Sequence, residues 1–413
     1  MIEALEGECV STATDSGRSV EFDPFSDVFF DDPYETYAAL RDAAPVYFSE
    51  KYGFYALSRH ADVVAAHQDT QRFSSSYGVT VDMLMEKRRV DMNMMIIMDQ
   101  PGHTQLRRLV NQAFSRRTIE GLEPLVTGTV RGFLDALDGR NDFDIVGDFA
   151  ALFPVEVISA MLGVPEPDRQ QIRHWVDTML FREEGNAQTT DVGITASLEL
   201  AGYFLELTKA KRKAPDNLIV SKLIEVEVKD AEGTEHRLSD SDVATFALLI
   251  AGAGSETVTK LIGNGTALFD RHPDQWQKVL DDEALVPEAV EEVLRFNPPS
   301  QYQGRFATEA VELEGGTIPA NSPTLLLTGS ATRDPRAFDR ADEFDITRGR
   351  QTSLAFGYGI HTCLGAWLAR LESRVAFEEM RRRWPHFEVD FANAARVNMS
   401  NVAGYSSLPI RVG

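Results

Sequence analysis

The stretch FGYGIHTCLG, Phe356 to Gly365, constrains this chain more than any other ten residues in it. Three glycines and a histidine surround Cys363, and a strongly helical segment follows at once. Glycine freedom lets such a loop lie flat against a large planar ligand while its amides point at sulfur. The following segment, CLGAWLARLESRVAFEEM, predicts a helix opening at the cysteine, with Leu364, Leu368, Leu371 and Val375 on its apolar face. The positive end of that helix favours a thiolate. These residues alone leave three readings open. Cys363 is a thiolate metal ligand, a small buried cysteine in a tight turn (the commoner fate of a single cysteine), or the nucleophile of a Cys-His hydrolase using His361. Zinc finds no second cysteine or histidine at ligand spacing.

Elsewhere the patterns are mainly helical. PYETYAALRDAAP has helical spacing, and VYFSE and FYALS read as a hairpin around Tyr52-Gly53. From Ala61, helical periods recur in ADVVAAHQD, HTQLRRLVNQAF, LEPLVTGTVRGFLDAL, LFPVEVISAMLG and PDRQQIRHWVDTMLF. Ser239-Asp240-Ser241-Asp242 reads as an N-cap with acids in the first turn, opening a helix to about Arg271. PEAVEEVLRF is a further helix with Pro287 in its first turn. VELEGGTIPANSPTLLLTGSATRDP and the final residues VNMSNVAGYSSLPIRVG read as short strands and turns. Residues 74–99 form a long irregular stretch whose methionines and Ile96-Ile97 suit an adaptable apolar wall. The expectation is a polar tail over 1–22 and one large helical domain over 23–413, with a minor, split β region.

Composition narrows the function. Only Cys9 and Cys363 are present, so there is no disulfide framework, which suits a reducing cytosol. The first residues lack the basic start and apolar core of a signal peptide. The most apolar run, Val243 to Gly254, is too short and glycine-rich to span a bilayer, so a soluble, cytoplasmic protein is expected. A net charge of −23 argues against nucleic-acid binding and makes the basic cluster LRRLVNQAFSRR conspicuous. That cluster is either a solvated helix face or a docking patch for an acidic partner.

FGYGIHTCLG resembles the haem-binding signature of the cytochrome P-450 monooxygenases, F-x-x-G-x-x-x-C-x-G, with Phe356, Gly359, Cys363 and Gly365 at its fixed positions. Gly357 and His361 also fall within it. The resemblance implies a mainly α P-450 fold, with haem b between the long central helix and the helix after the cysteine loop. It makes Cys363 the axial iron ligand. Further features follow in the family's order. EVLR places Glu292 and Arg295 on one helical face, about seventy residues before the cysteine. Alone this is a surface ion pair worth a few tenths of a kcal/mol. By resemblance it is a buried structural pair joined by Arg348. GAGSETV puts two glycines mid-helix at roughly 1 kcal/mol each relative to alanine. Close helix packing explains that by itself. The resemblance adds a local bulge over the haem, with Glu256 and Thr257 as the acid–alcohol pair that manages proton delivery. His103 and Arg107 (HTQLR), Arg305 (GRFAT) and His361 match the positions that hold the haem propionates. One departure is Thr332 in TRDP, where relatives often carry Asn, and it affects a local hydrogen bond.

By position, the substrate pocket draws on Met83, Met94, Met95, Phe246, Leu249, Ile250, Ala253, Gln301, Tyr302 and Val402. The polar SQYQG stretch suggests a hydrogen-bonded anchor on an apolar substrate. The resemblance thus implies an O2-dependent monooxygenase of an apolar small molecule such as a steroid, terpenoid, fatty acid or polyketide. With no flavin or iron–sulfur segment in this sequence, a separate ferredoxin and its reductase supply electrons, docking near Arg108, Arg116 and Arg117. Two alternatives are a peroxide-driven peroxygenase and a haem protein that binds ligand without turnover. The intact Glu256-Thr257 pair favours dioxygen chemistry over both.

Overall fold

Asp240–Arg271 forms one continuous helix of 32 residues, about 48 Å at 1.5 Å per residue. Ser239 starts it with a capping box: its Oγ accepts the Asp242 N–H at 3.1 Å, while Asp242 Oδ2 accepts the Ser239 N–H at 3.0 Å. A computed structural model describes residues 20–229, 235–349 and 353–413. Around the long helix pack Phe153–Leu162, Arg169–Leu180, Asp191–Lys213, Val286–Phe296 and Ala366–Arg383. Their apolar faces share one core, from Phe149 and Val157 through Phe246 and Ile262 to Phe377.

This helix corrects the length argument made from Val243–Gly254. Its full span is long and apolar enough to cross a membrane by length and composition, but 67% of that apolar window is buried against other parts of the fold. Burial over most of its surface, rather than shortness, makes it a core helix.

The β structure is small and split. Val46–Ser49 and Phe54–Leu57 form the expected antiparallel hairpin. Phe54–Leu57 then pairs in parallel with Ser322–Leu326, and Gln303–Ala307 and Phe73–Ser74 complete the five-stranded sheet. A second aromatic core lies beside it, holding Phe22, Phe25, Phe29, Tyr37, Phe54 and Tyr302. Phe22 is buried there against four rings, so the tail expected over 1–22 ends before it. The rest of that tail up to residue 19, with Cys9, lies outside the described residues.

Two helical readings need correction. HTQLRRLVNQAFSRR is two helices, Gly102–Asn111 and Arg116–Glu120, because Ser115 accepts the Thr118 N–H and opens a new helix. Asp191–Lys213 is a 23-residue helix that periodicity did not reveal. Its Val192, Ile194 and Leu198 face solvent, which blurs the apolar stripe.

Candidate functional site

Cys363 sits in a loop that folds back on itself before the next helix starts. Its N–H donates to the Phe356 carbonyl at 2.8 Å, and the Thr362 hydroxyl donates to the Gly359 carbonyl at 2.8 Å. Gly357 and Gly359 adopt φ of 69° and 71°, and a Cβ on Gly359 would lie 2.8 Å from the His67 carbonyl oxygen. These bonds delay the helix to Ala366–Arg383, three residues past the expected start at the cysteine. The Cys363 side chain keeps open surface, yet surrounding protein pushes its thiol pKa up by burial. The Gly365 amide, Arg107 and Arg370 act in the opposite direction. Both observations hold for a sulfur facing an internal recess rather than bulk water.

Basic side chains converge beside this loop. The His103 and His361 rings lie 4.2 Å apart, which places the Gly102–Asn111 helix against the cysteine loop. His103 is buried with neither ring nitrogen hydrogen-bonded among the described residues, and burial, with Arg107 and Arg305 nearby, lowers its pKa to about 4. His361 Nε2 lies 3.1 Å from Ser75 Oγ, and burial lowers its pKa to about 2. Arg305 is 4% exposed, and among the described residues its guanidinium donates only to the adjacent Gly304 carbonyl at 2.7 Å. Burial lowers it to about 10, with Asp99 pulling the other way. His67 was missed from sequence. It is buried, neither of its nitrogens is in hydrogen-bond geometry among the described residues, and burial and Arg305 lower it to about 3 against the pull of the Gln303 side chain. Nothing in ADVVAAHQD sets it apart from an ordinary core histidine.

On the long helix, Ala253 is the one exposed residue between Val243 and Phe269, flanked by the half-buried Leu249 and Thr257. This i, i+4, i+8 spacing marks a single stripe left uncovered by protein. The expected bulge is absent, since the helix is α throughout. Ser255, Thr257 and Thr259 hydroxyls each donate to the carbonyl four residues back, which satisfies them without opening the ladder. Gly254 has a packing reason: a Cβ there would lie 3.0 Å from Ile158 Cγ1.

Glu256 and Thr257 part company. Thr257 lies on the open stripe, while Glu256 is buried against Lys260, whose Nζ is 2.8 Å from Glu256 Oε2. Burial alone would raise the Glu256 pKa, but Lys260 and a hydrogen bond from Asp177 hold it below the ordinary value. Asp177, on the neighbouring Arg169–Leu180 helix, is pushed up to about 8 by burial and then by Glu256. Asp177 Oδ1 finds no N–H or O–H donor, which fits a proton shared with Glu256, while its Oδ2 accepts from Arg173 at 2.9 Å. Asp177 and Lys260 were not legible in the sequence.

The cytochrome P-450 family profile matches residues 196–403. Over 392 residues the chain is 41% identical to a putative cytochrome P-450 123 of Mycobacterium tuberculosis, covering 94% of this chain and 96% of that protein. It is 36% identical over 406 residues to a vitamin D(3) 25-hydroxylase of Pseudonocardia autotrophica, covering 95% and 97%. The chain is a cytochrome P-450. Its structure is similar to that of CYP109E1 from Bacillus megaterium in complex with testosterone, with a TM-score of 0.84 and 29% identity over 92% of this chain and 98% of that one.

Cytochromes P-450 are oxidoreductases that bind haem b, and the residues of this P-450 fit that group. Among the described residues, two histidines with unpartnered nitrogens and one buried arginine without an ion pair suit the acidic propionates of a haem. The open stripe of the long helix and the open cysteine surface suit its two faces. The Glu-x-x-Arg pair of this P-450 is buried as expected. Arg295 forks onto Glu292 at 2.8 and 2.7 Å and also donates to the Thr332, Ala341 and Glu343 carbonyls. Arg348 joins at 3.4 Å from Glu292 Oε1. Thr332 donates to the Gly329 carbonyl at 3.2 Å, so this departure from the family pattern leaves its hydroxyl satisfied.

The pocket expectations divide. Leu249 and Ala253 lie on the open stripe, and Met83 and Met94 are half-buried. Val402 packs with Val397, Met399 and Leu180. Met95, Phe246 and Ile250 belong to the main core. Gln301 and Tyr302 are corrected: both are wholly buried and turned into the aromatic core. Tyr37 donates to Gln301 Oε1 at 3.2 Å, Gln301 donates to the Pro298 carbonyl, and Tyr302 donates to the Ser400 carbonyl at 3.0 Å. The polar anchor expected of SQYQG thus serves the fold, because each polar atom is committed internally.

Proposed function

We propose that this P-450 is a monooxygenase of an apolar small molecule, with Cys363 as the haem ligand and a steroid-like compound as its substrate. Haem b, when bound, supplies the oxidising chemistry, and the protein supplies orientation, ligation and protons. His103, Arg107, Arg305 and His361, joined by His67, would hold the propionates. Thr257 on the open stripe would present a hydroxyl to the reacting side. Glu256, pinned by Lys260 and hydrogen-bonded by Asp177, would pass protons from the neighbouring helix by changing rotamer. The convergence of unpartnered basic groups beside an open cysteine carries this reading. A separate ferredoxin with its reductase would deliver the electrons, in the cytoplasm. The steroid class rests on two similar proteins, one named a vitamin D(3) 25-hydroxylase and one solved in complex with testosterone.

The test is turnover of vitamin D3 and testosterone with O2, a ferredoxin, its reductase and NADPH. Products heavier by one oxygen atom are expected. Thr257→Ala should still consume reductant but release more peroxide per product, by about tenfold for a lost proton-delivery group. Equal coupling in parent and variant would remove Thr257 from the mechanism. Turnover with peroxide but none with the electron-transfer chain would instead support the peroxygenase reading.

A further inference from the structure

A cavity of about 190 Å³ lies in a region of the fold that none of the proposed haem residues lines. It is walled by Asp32 and Tyr34, the end of the long helix (Arg271, His272), Phe296 and Asn297 at the end of the Glu-x-x-Arg helix, Arg333, and Arg396. That space exceeds the ~150 Å³ of an engineered cavity able to hold benzene.

Arg333 dominates it. The residue is 9% exposed, with its guanidinium carbon 3.5 Å from the Tyr34 ring centroid and 3.4 Å from that of Phe296. Both faces of the cation are therefore covered by aromatic rings. Its Nε donates to the Phe296 carbonyl at 2.7 Å. Only the edge carrying the two Nη atoms remains. Among the described residues neither Nη has a hydrogen bond or an ion pair, and the cavity is where that edge has open surface. A planar fork with both faces and one edge occupied is oriented for two acceptor oxygens in its own plane.

Arg271 and Arg396 line the cavity with Arg333, so its cations outnumber the two acids there, Asp31 and Asp32. Arg271 stands 4.4 Å from the Phe391 ring with no carboxylate within ion-pair distance among the described residues. Arg396 pairs with Asp31 at 3.4 Å, whereas Asp32 Oδ1 accepts only the Tyr34 N–H at 3.1 Å and, with Asp342, remains a nearby negative charge on Arg333. Tyr34 donates to Asn297 Oδ1 at 2.9 Å, which leaves the Asn297 amide nitrogen as another donor. Burial lowers the Arg333 pKa, and a bound anion would offset that.

We propose that this cavity is a binding site for a small multivalent oxyanion, gripped by the Arg333 fork with Arg271 and Asn297 as further donors. The ligand would tie the segment before Tyr34 to the ends of the long helix and the Glu-x-x-Arg helix. It would therefore stabilise the folded protein without touching the haem.

The test uses the haem-loaded protein at constant ionic strength, with inorganic pyrophosphate and citrate as probes and sodium chloride as control. Either probe should raise Tm saturably while the haem absorption spectrum stays unchanged. Arg333→Lys keeps the charge but loses the fork, and Arg271→Gln removes an exposed donor. Each should weaken the half-saturating concentration at least tenfold, and Arg271→Gln decides alone should Arg333→Lys fail to fold. No saturable rise with either probe would overturn the proposal. So would half-saturation unchanged in Arg271→Gln, or a haem spectrum that shifts with the probe.

Discussion

The side chains that explain this site most fully are ones with unmet needs. Among the described residues, His67 and His103 are buried with no hydrogen bond to their ring nitrogens, and buried Arg305 has only the Gly304 carbonyl and the nearby charge of Asp99. Such groups normally cost stability unless paired, so their clustering points to an acidic partner. Asp177 is the other case. Unfolded, its carboxyl has an ordinary pKa of 3.8, while folded it is raised to about 8. Between these values the folded chain keeps a proton that the unfolded chain has lost. Stability from this group is therefore fully present below about pH 4, falls as pH rises, and levels off beyond about 8. Asp177→Asn can donate to Glu256 without titrating. Denaturant midpoints at about pH 5 and about pH 8 should differ less in the variant than in the parent. An equal loss in both would mean that Asp177 does not hold its proton.

Among elements, the break between Gly102–Asn111 and Arg116–Glu120 reshapes the basic cluster. Arg116 is engaged, with Nε 2.7 Å from Glu120 and its guanidinium 5.2 Å from the Trp367 ring, four residues past the cysteine. That contact sets the short helix beside the cysteine helix. Arg108 and Arg117 are exposed and have no ion pair among the described residues. Against a net charge of −23, these two are the cations best able to steer an acidic ferredoxin. Reversing both to Glu should slow ferredoxin-supported reduction by about tenfold at low salt and flatten its salt dependence, with haem content unchanged. Rates matching the parent at low salt would place electron entry elsewhere.

Across the whole molecule, legibility followed sequence distance. The cysteine loop, the Glu292-Arg295 pair and the Ser239 cap are built from residues within ten positions, so spacing alone exposed them. Arg348 and the propionate positions came through resemblance to a family, and burial then gave them a physical reason. The Asp177–Glu256 contact and the His67 cluster join residues far apart in the chain, and no local pattern announces such contacts. Gln301 and Tyr302 misled for a related reason: their sequence position borders the site, but hydrogen bonds to Tyr37, Pro298 and Ser400, distant in the chain for all but Pro298, hold them wholly buried just before the Gln303–Ala307 strand. The Asp191–Lys213 helix escaped because its exposed apolar residues mimic a buried face.

The monooxygenase reading hangs on one sulfur, and one spectrum tests it. The reduced, CO-bound protein should show the long-wavelength Soret band of thiolate ligation. Cys363→His should lose that band and Cys9→Ser should keep it. Retention of the band by Cys363→His would contradict the account.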